Sequence, residues 1–132
     1  MANPNIVAVT AIYGTTTYYT PTGTSAVILL PNAASSGLVY KIENVLVSNA
    51  HTSAVNATVG LYSNGSVAQG SPPAGGTAYH LAYQISVPPN ASLVAIDKSM
   101  SFYLMEGTSI YITASVANVL NFTVSYENIS SS

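Results

Sequence analysis

The chain of 132 residues contains no cysteine, no tryptophan and no arginine. Without cysteine it can form no disulfide bond, thiolate zinc site or iron–sulfur cluster, and it has no cysteine nucleophile. Charged residues make up only 5% of the sequence, against about 25% in a typical soluble protein domain. Two lysines cannot neutralise a run of phosphates, so neither nucleic acid nor an anionic membrane surface is an expected partner.

Long hydrophobic runs and a targeting segment are also missing. The longest wholly aliphatic run is Ala26–Leu30, far below the roughly 18 residues of a membrane-spanning helix. The first residues include Pro4 and lack the basic residues that open a secretory signal peptide. We therefore expect no signal peptide and no membrane partner.

The pattern that dominates the sequence is an alternation of apolar and polar residues with a period of two. This period is typical of half-buried strands. It is clearest in Val55–Tyr62, Tyr79–Val87, Ile110–Ala114 and Leu120–Glu127. Further strand candidates are Ile6–Tyr13, Thr15–Tyr19, Ser25–Leu30, Leu38–Asn49, Ser92–Asp97 and Met100–Leu104.

Turn residues separate these segments, and no segment has the 3.6-residue stripe of an amphipathic helix. Eight to ten short strands with essentially no helix predict an all-β fold, a single antiparallel β-sandwich of jelly-roll type over residues 1–132. Leu38–Asn49 has apolar residues in both phases, which predicts a bulge near Glu43–Asn44 or burial on both sides. We expect the most buried side chains to include Leu61, Leu81, Ile85, Ile112 and Phe122.

One long connection, residues 64–77, has the sequence NGSVAQGSPPAGGT, with four glycines and two prolines. Loops of this length in a compact fold are commonly functional or disordered. Two interpretations stay open. The segment is either a mobile surface loop or a contact arm that orders against a neighbouring subunit.

The titratable side chains give little support for catalysis. The chain has four carboxylates, two lysines and two histidines, and no nucleophile motif such as G-x-S-x-G. His51 and His80 lack the close spacing of metal ligands such as H-x-H. We predict no enzymatic activity, no cofactor and no metal site, and we interpret both histidines as solvated or interface residues.

Ten tyrosines and the scarcity of charge favour protein–protein contact, because interface cores are rich in tyrosine and poor in Lys, Glu and Asp. A carbohydrate-binding platform is the alternative, since flat aromatic side chains on a β-sandwich also suit sugars. The candidate interface residues are Asn3 and Asn5 in the N-terminal arm, Tyr18, Tyr19 and Tyr111 in strands, and Ser66, Gln69, Pro72 and Pro73 in the long loop.

Four segments carry a resemblance to a known group of proteins: KIENVLVSN (Lys41–Asn49), AYHLAYQISVPPNASLVAIDK (Ala78–Lys98), FYLMEGTSIYITAS (Phe102–Ser115) and SYENIS (Ser125–Ser130). Together they resemble small all-β structural proteins on the particles of tailed bacteriophages, cyanophages in particular, over about residues 38–130. The resemblance carries no catalytic signature. It implies a location on the virion, as a capsid decoration (cement) protein or as a neck or tail accessory.

From the resemblance and the composition together we expect a virion protein that is assembled in the host cytoplasm. The expected role is decoration of the head, in which the protein stabilises the assembled capsid. The expected partners are further copies of the chain, as a homotrimer, and the major capsid protein or another virion protein. The alternative is a fibre or neck module that binds a receptor or a glycan.

Overall fold

The computed structural model describes residues 9–131, which form two antiparallel sheets packed face to face. The strands of the first sheet lie in the order β1 (Val9–Tyr19), β9 (Leu120–Ser131), β3 (Leu38–Asn49) and β6 (Ser92–Ile96), and β7 (Phe102–Leu104) pairs with β3 alongside β6. Those of the second sheet lie in the order β2 (Val27–Asn32), β8 (Thr108–Ala114), β4 (Val55–Tyr62) and β5 (Ala78–Val87). Within residues 9–131 the only helical element is a 3₁₀ turn at Lys98–Met100.

The chain crosses repeatedly between the two sheets. The first sheet contains β1, β3, β6, β7 and β9. The second sheet contains β2, β4, β5 and β8. This connectivity is that of the jelly roll, in which two Greek keys close a sandwich. The predicted all-β jelly-roll sandwich is confirmed.

Several strand boundaries agree with the alternation in the sequence. The strands β3 and β4 have the predicted bounds. The register of β3 against β9 slips between Ile42 and Asn44, at the position of the predicted bulge. The two predicted segments before residue 20 form one strand within the described residues, because Gly14 continues the pairing opposite Glu127.

The core lies between the sheets. Phe122 and Ile112 are fully buried, as predicted. The predicted full burial of Leu61 is wrong, since its side chain is half-buried at the margin of the core, opposite the exposed Tyr79. Other fully buried side chains are Leu29, Ile42, Val45, Val47, Ile110, Leu120 and Val124. This set is the inward phase of strands from both sheets, so burial of the alternating face holds the sandwich together.

The predicted burial of Leu81 and Ile85 is wrong, since these side chains are 42% and 38% exposed. Both belong to β5, the edge strand of its sheet. Two register slips of β5 against β4 break the simple alternation along the strand. In addition, β6, which packs against β5 from the other sheet, has five residues against ten in β5, so β6 alone cannot cover the whole strand.

Candidate functional site

The long loop is fastened to its own fold. The backbone N–H of Gly70 donates to the carbonyl of Ile28 at 2.8 Å, and the N–H of Ile28 donates to the carbonyl of Ser71 at 3.0 Å. Since Ile28 belongs to the edge strand β2, these bonds occupy positions that an added strand would need. Residues 69–71, which we call the clasp, therefore cover the edge of β2.

The side chain of Gln69 extends the clasp to the other sheet. Its Nε2 donates to the carbonyl of Leu29 at 2.8 Å and to Oγ1 of Thr17 on β1 at 3.2 Å. The neighbouring Gly70 has φ +86° and lies against Tyr19, where a Cβ would come within 2.9 Å of Oη. The clasp thus closes the β1–β2 end of the sandwich and leaves Tyr19 half-buried.

The remaining candidate residues of this end lie at its surface. Tyr18 is 73% exposed, Ser66 and Pro72 are exposed, and Pro73 is half-buried. Asn3 and Asn5 lie outside the described residues. A role for these residues in contacts with another molecule stays a prediction.

Tyr111 does not have the exposed position that its polar phase predicted, since it is only 3% exposed. It lies on the outer face of the second sheet, where it clusters with Ile28 and Tyr62 and where Val67 of the long loop packs against them. The loop therefore covers a sheet face that alternation alone assigns to solvent. Period-two reasoning missed this small second core because it assumes that only one face of a sheet is buried.

From this cluster Tyr111 reaches across β4 towards β5. A Cβ on Gly60 would lie 2.5 Å from the Tyr111 ring, so glycine is needed for the ring to cross. The Tyr111 hydroxyl forms a hydrogen bond with Nδ1 of His80, and the His80 ring packs on Tyr83 with centroids 4.3 Å apart. Burial raises the pKa of Tyr111 above its ordinary value, and the proximity of Tyr83 raises it further.

A cavity of about 210 Å³ lies further along the same outer face, where Thr58 and Thr113 are two residues from Gly60 and Tyr111. Its lining is neutral and hydrogen-bonding, and it contains no charged side chain and no histidine. We call it the polar cavity. It is lined by Thr24, Asn56, Thr58, Gln84, Thr113, Ala114 and Ser115.

At the opposite end from the clasp, large apolar side chains are exposed. We call this surface the apolar edge. It is formed by side chains between 38% and 59% exposed: Tyr79, Leu81 and Ile85 of β5, Val94 of β6, Tyr103 of β7, and Met100 and Met105 beside β7. The strands come together here because β6 and β7 both pair with β3 and β5 packs against β6.

The charged groups make local contacts. Nζ of Lys41 lies 3.8 Å from a carboxylate oxygen of Glu43. A carboxylate oxygen of Glu106 accepts a hydrogen bond from the backbone of Gly37. Asp97 caps the 3₁₀ turn, where the hydroxyl and the N–H of Ser99 hydrogen-bond to its carboxylate and hold its pKa below the usual range. Residues 9–131 contain no group of three or more His, Asp or Glu side chains placed to hold a metal ion.

Two buried asparagines were not singled out by the sequence. Nδ2 of Asn49 donates to the carbonyls of Ser53 and Val87, both at 3.0 Å. Nδ2 of Asn32 donates to the carbonyls of Leu38 and Leu104, at 3.1 and 3.0 Å. Each asparagine ends a strand and joins neighbouring loops, and composition alone does not separate them from the exposed asparagines of the chain.

Comparison with other proteins concerns the fold. No protein-family model matches the sequence, and no curated protein matches it. No helix in the described part of the chain is long and apolar enough to cross a membrane. A solved structure that resembles the fold is the crystal structure of the T13 IBDV viral particle, with a TM-score of 0.50 and 11% sequence identity over 92% of this chain and 31% of the matched chain.

A structure of the Gt strain of infectious bursal disease virus aligns with a TM-score of 0.44 and 11% identity, with the same coverage of both chains. The protein therefore spans about a third of the length of the chains it matches. At this identity the similarity is one of fold. The jelly roll described above is thus an architecture that it shares with part of a chain in a virus particle.

Proposed function

We propose that the protein is a non-enzymatic structural protein of a virion, and that it decorates the assembled head of a tailed bacteriophage as a homotrimer. Its jelly roll supports this proposal, since this fold is used by capsid proteins and is shared with part of a viral-particle chain. The resemblance of residues 38–130 to phage virion proteins supports it as well. Because a fold does not by itself specify a function, the proposal rests on one surface, the apolar edge.

The apolar edge is large enough for a stable contact. Taking about 200 Å² for a fully exposed large residue, its members present on the order of 600 Å² of exposed area, most of it apolar. That matches the upper range for the largest apolar patch on a typical monomer. With about 65% of an oligomer interface apolar, it corresponds to roughly 900 Å² per copy, the size of a standard interface.

The chemistry of the apolar edge favours a second copy of the same chain as its occupant. Its charged neighbours largely balance one another. Asp97 and Lys98 are adjacent and opposite in sign. Lys41, which pairs with Tyr103 across the strands, lies 3.8 Å from Glu43, and Glu106, next to Met105, adds one carboxylate. A surface with little net charge offers little attraction to a charged partner and little repulsion to an identical one. We therefore infer that three copies bring their apolar edges together around a common axis. The clasp end, with Tyr18, Ser66 and Pro72, then faces the major capsid protein.

The oligomeric state tests the first step. We expect the purified protein to sediment as three chains, and the double variant Leu81→Ser/Met105→Ser to sediment as one. The matched control is Ile12→Ser/Tyr13→Ser, which removes comparably exposed side chains from β1 and should leave the trimer intact. A monomeric wild-type protein at high concentration, or dissociation of the control alone, would contradict the proposal.

Particles with and without the protein test the second step. A protein that binds the assembled shell and not its free subunits stabilises the shell by mass action, about 2.7 kcal/mol per site at a hundredfold excess over Kd. We expect stripped particles to rupture at lower temperature, and imaging to place many copies on threefold positions of the head. Stripped particles that withstand heat but fail to adsorb to host cells would instead identify the protein as a neck or tail module that binds a receptor.

A further inference from the structure

We propose that the outer face of the second sheet binds a neutral carbohydrate, with the polar cavity holding the hydroxyl groups of one sugar unit and the Tyr83 ring packing against its apolar face. This site is separate from the clasp and borders the apolar edge, since Tyr83 and Gln84 lie between Leu81 and Ile85 on β5. It does not depend on the virion role proposed above.

The polar cavity has the hydrogen-bonding chemistry that a sugar needs. Within residues 9–131, the side-chain amides of Asn56 and Gln84 and the hydroxyl of Thr113 make no hydrogen bond to the protein. Each amide offers donors and an acceptor, and the hydroxyl offers both roles. Sugar hydroxyls also donate and accept, so the two sets complement each other. The lining has no cation to pair with a carboxylate or a phosphate, and the inferred ligand is therefore uncharged.

An exposed aromatic side chain belongs to the residue that precedes Gln84 of the cavity lining. Tyr83 is 56% exposed, and its neighbour in sequence, Gln84, lines the cavity. On β4, Thr58 lines the cavity and Gly60 pairs with His80 of β5. These two β4 residues are two positions apart, or about 7 Å along the strand. The C–H face of a sugar ring packs on an aromatic face while its hydroxyls stay free for polar partners. One sugar unit can therefore contact the Tyr83 ring and the cavity together.

The site is held in place before any ligand binds. Tyr83 packs on His80, which is fixed by its hydrogen bond to the buried Tyr111. The backbone N–H of Gln84 donates to Oγ1 of the buried Thr58 at 2.9 Å, which holds Gln84 at a φ of +49°. These contacts fix the aromatic rings and the backbone of the site, which therefore lose little conformational entropy when a ligand binds, while the exposed amides of Asn56 and Gln84 are ordered by the ligand itself.

The same geometry disfavours an extended peptide as the ligand. A peptide that adds to a sheet edge needs an uninterrupted row of backbone groups. Strand β5 has two register slips, and Gln84 has a left-handed backbone conformation. A cavity of about 210 Å³ also fits a single small unit better than a chain of residues.

Amide chemical shifts of the isotope-labelled free protein test the site. The probes are methyl glycosides of glucose, galactose, mannose and N-acetylglucosamine, with sialic acid as the charged comparison. We expect at least one neutral glycoside to shift the amides of residues 56–58, 83–84 and 113–115 with a Kd on the order of millimolar, a normal strength for one sugar unit. No shift with any neutral glycoside at tens of millimolar, or binding of sialic acid alone, would overturn the proposal.

Three variants connect the shifts to the site. Gln84→Gly removes the amide and keeps the positive φ, and Tyr83→Ala removes the ring. Each should weaken binding about tenfold or more. The control Tyr13→Ala removes an exposed ring from β1, in the other sheet, and should leave the affinity unchanged. Equal affinity in all three variants, or binding of a neutral tripeptide at the same amides, would also overturn the proposal.

Discussion

Asn32 and Asn49 are examples of how single buried side chains join separate segments of this fold. The amide of Asn49 binds the backbone of the following loop and of the end of β5, and its Oδ1 accepts from the N–H of His51 at 2.8 Å. Oδ1 of Asn32 accepts from the Ser36 hydroxyl at 2.6 Å. Burial makes these bonds valuable, because the partner groups have no water to replace them.

Replacement of Asn49 by alanine should therefore cost about 2–4 kcal/mol in the free energy of unfolding, since it leaves buried carbonyls without a donor. The control is Asn44→Ala on β3, where the side chain is exposed, and we expect it to change stability by less than about 0.5 kcal/mol. Urea denaturation of the two variants measures both values. Equal stability would mean that water satisfies the carbonyls around Asn49.

Tyr40 and Tyr126 make the stability of the folded protein fall as the pH rises in the alkaline range. Their rings lie 4.8 Å apart, and burial raises both pKa values above the ordinary value of 10.0, with Tyr40 adding to the rise at Tyr126. Above pH 10 the unfolded chain therefore loses these protons before the folded chain does. Stability is full below that pH and falls as the pH rises through the folded-state pKa values.

Unfolding in urea at pH 8 and at pH 11 tests this expectation. The variant Tyr40→Phe/Tyr126→Phe should lose less stability between the two pH values than the wild-type protein. Tyr13→Phe/Tyr18→Phe removes two exposed hydroxyls and should keep the wild-type decline. An identical decline in all three proteins would show that Tyr40 and Tyr126 do not cause it.

For individual strands, apolar alternation in the sequence predicts the central strands well and the burial of the edge strand β5 poorly. The bounds of β3 and β4 and the bulge in β3 follow from apolar alternation, because these central strands are buried by neighbours on both sides. For β5 the same rule fails at Leu81 and Ile85. Whether an edge strand is covered depends on the length of the strand opposite it, and a local pattern contains no such information.

The clasp is an element that the sequence located without revealing its role. Glycine and proline marked residues 64–77 as a long loop, but its attachment to β2 and β1 depends on contacts between residues forty or more apart in the chain. Tyr111 was assigned to the wrong environment for the same reason. The polar cavity was likewise beyond reach, since it gathers residues from β4, β5 and β8 that are far apart in sequence.

Substitution of Gly70 by alanine should loosen the clasp. The backbone there has φ +86° and the added Cβ would press on Tyr19, so we expect a loss of about 1–3 kcal/mol. Gly23→Ala is the control, because its Cβ would meet no atom within 4 Å. Hydrogen exchange at the amide of Ile28 reports the clasp directly and should accelerate only in Gly70→Ala. Unchanged protection of Ile28 would contradict the role assigned to residues 69–71.

For the whole molecule, the low charge predicts that association responds weakly to salt. The contacts that we infer at the apolar edge consist of apolar area and tyrosine, which salt does not screen. Sedimentation of the purified protein should therefore give the same molar mass at low and at high salt concentration. Dissociation on raising the salt concentration would mean that ion pairs hold the copies together.

The clasp also decides what kind of polymer the chain can form. In polymer chemistry a unit with two reactive ends propagates, whereas a unit with one reactive end terminates. Residues 69–71 occupy the backbone groups of Ile28 on the β2 edge, and the slips in β5 leave the other edge of that sheet unsuited to backbone pairing. The trimer that we infer joins instead through side chains at the apolar edge. In a protein with so little charge to keep its copies apart, the second sheet is thereby protected from growing edge to edge into fibres.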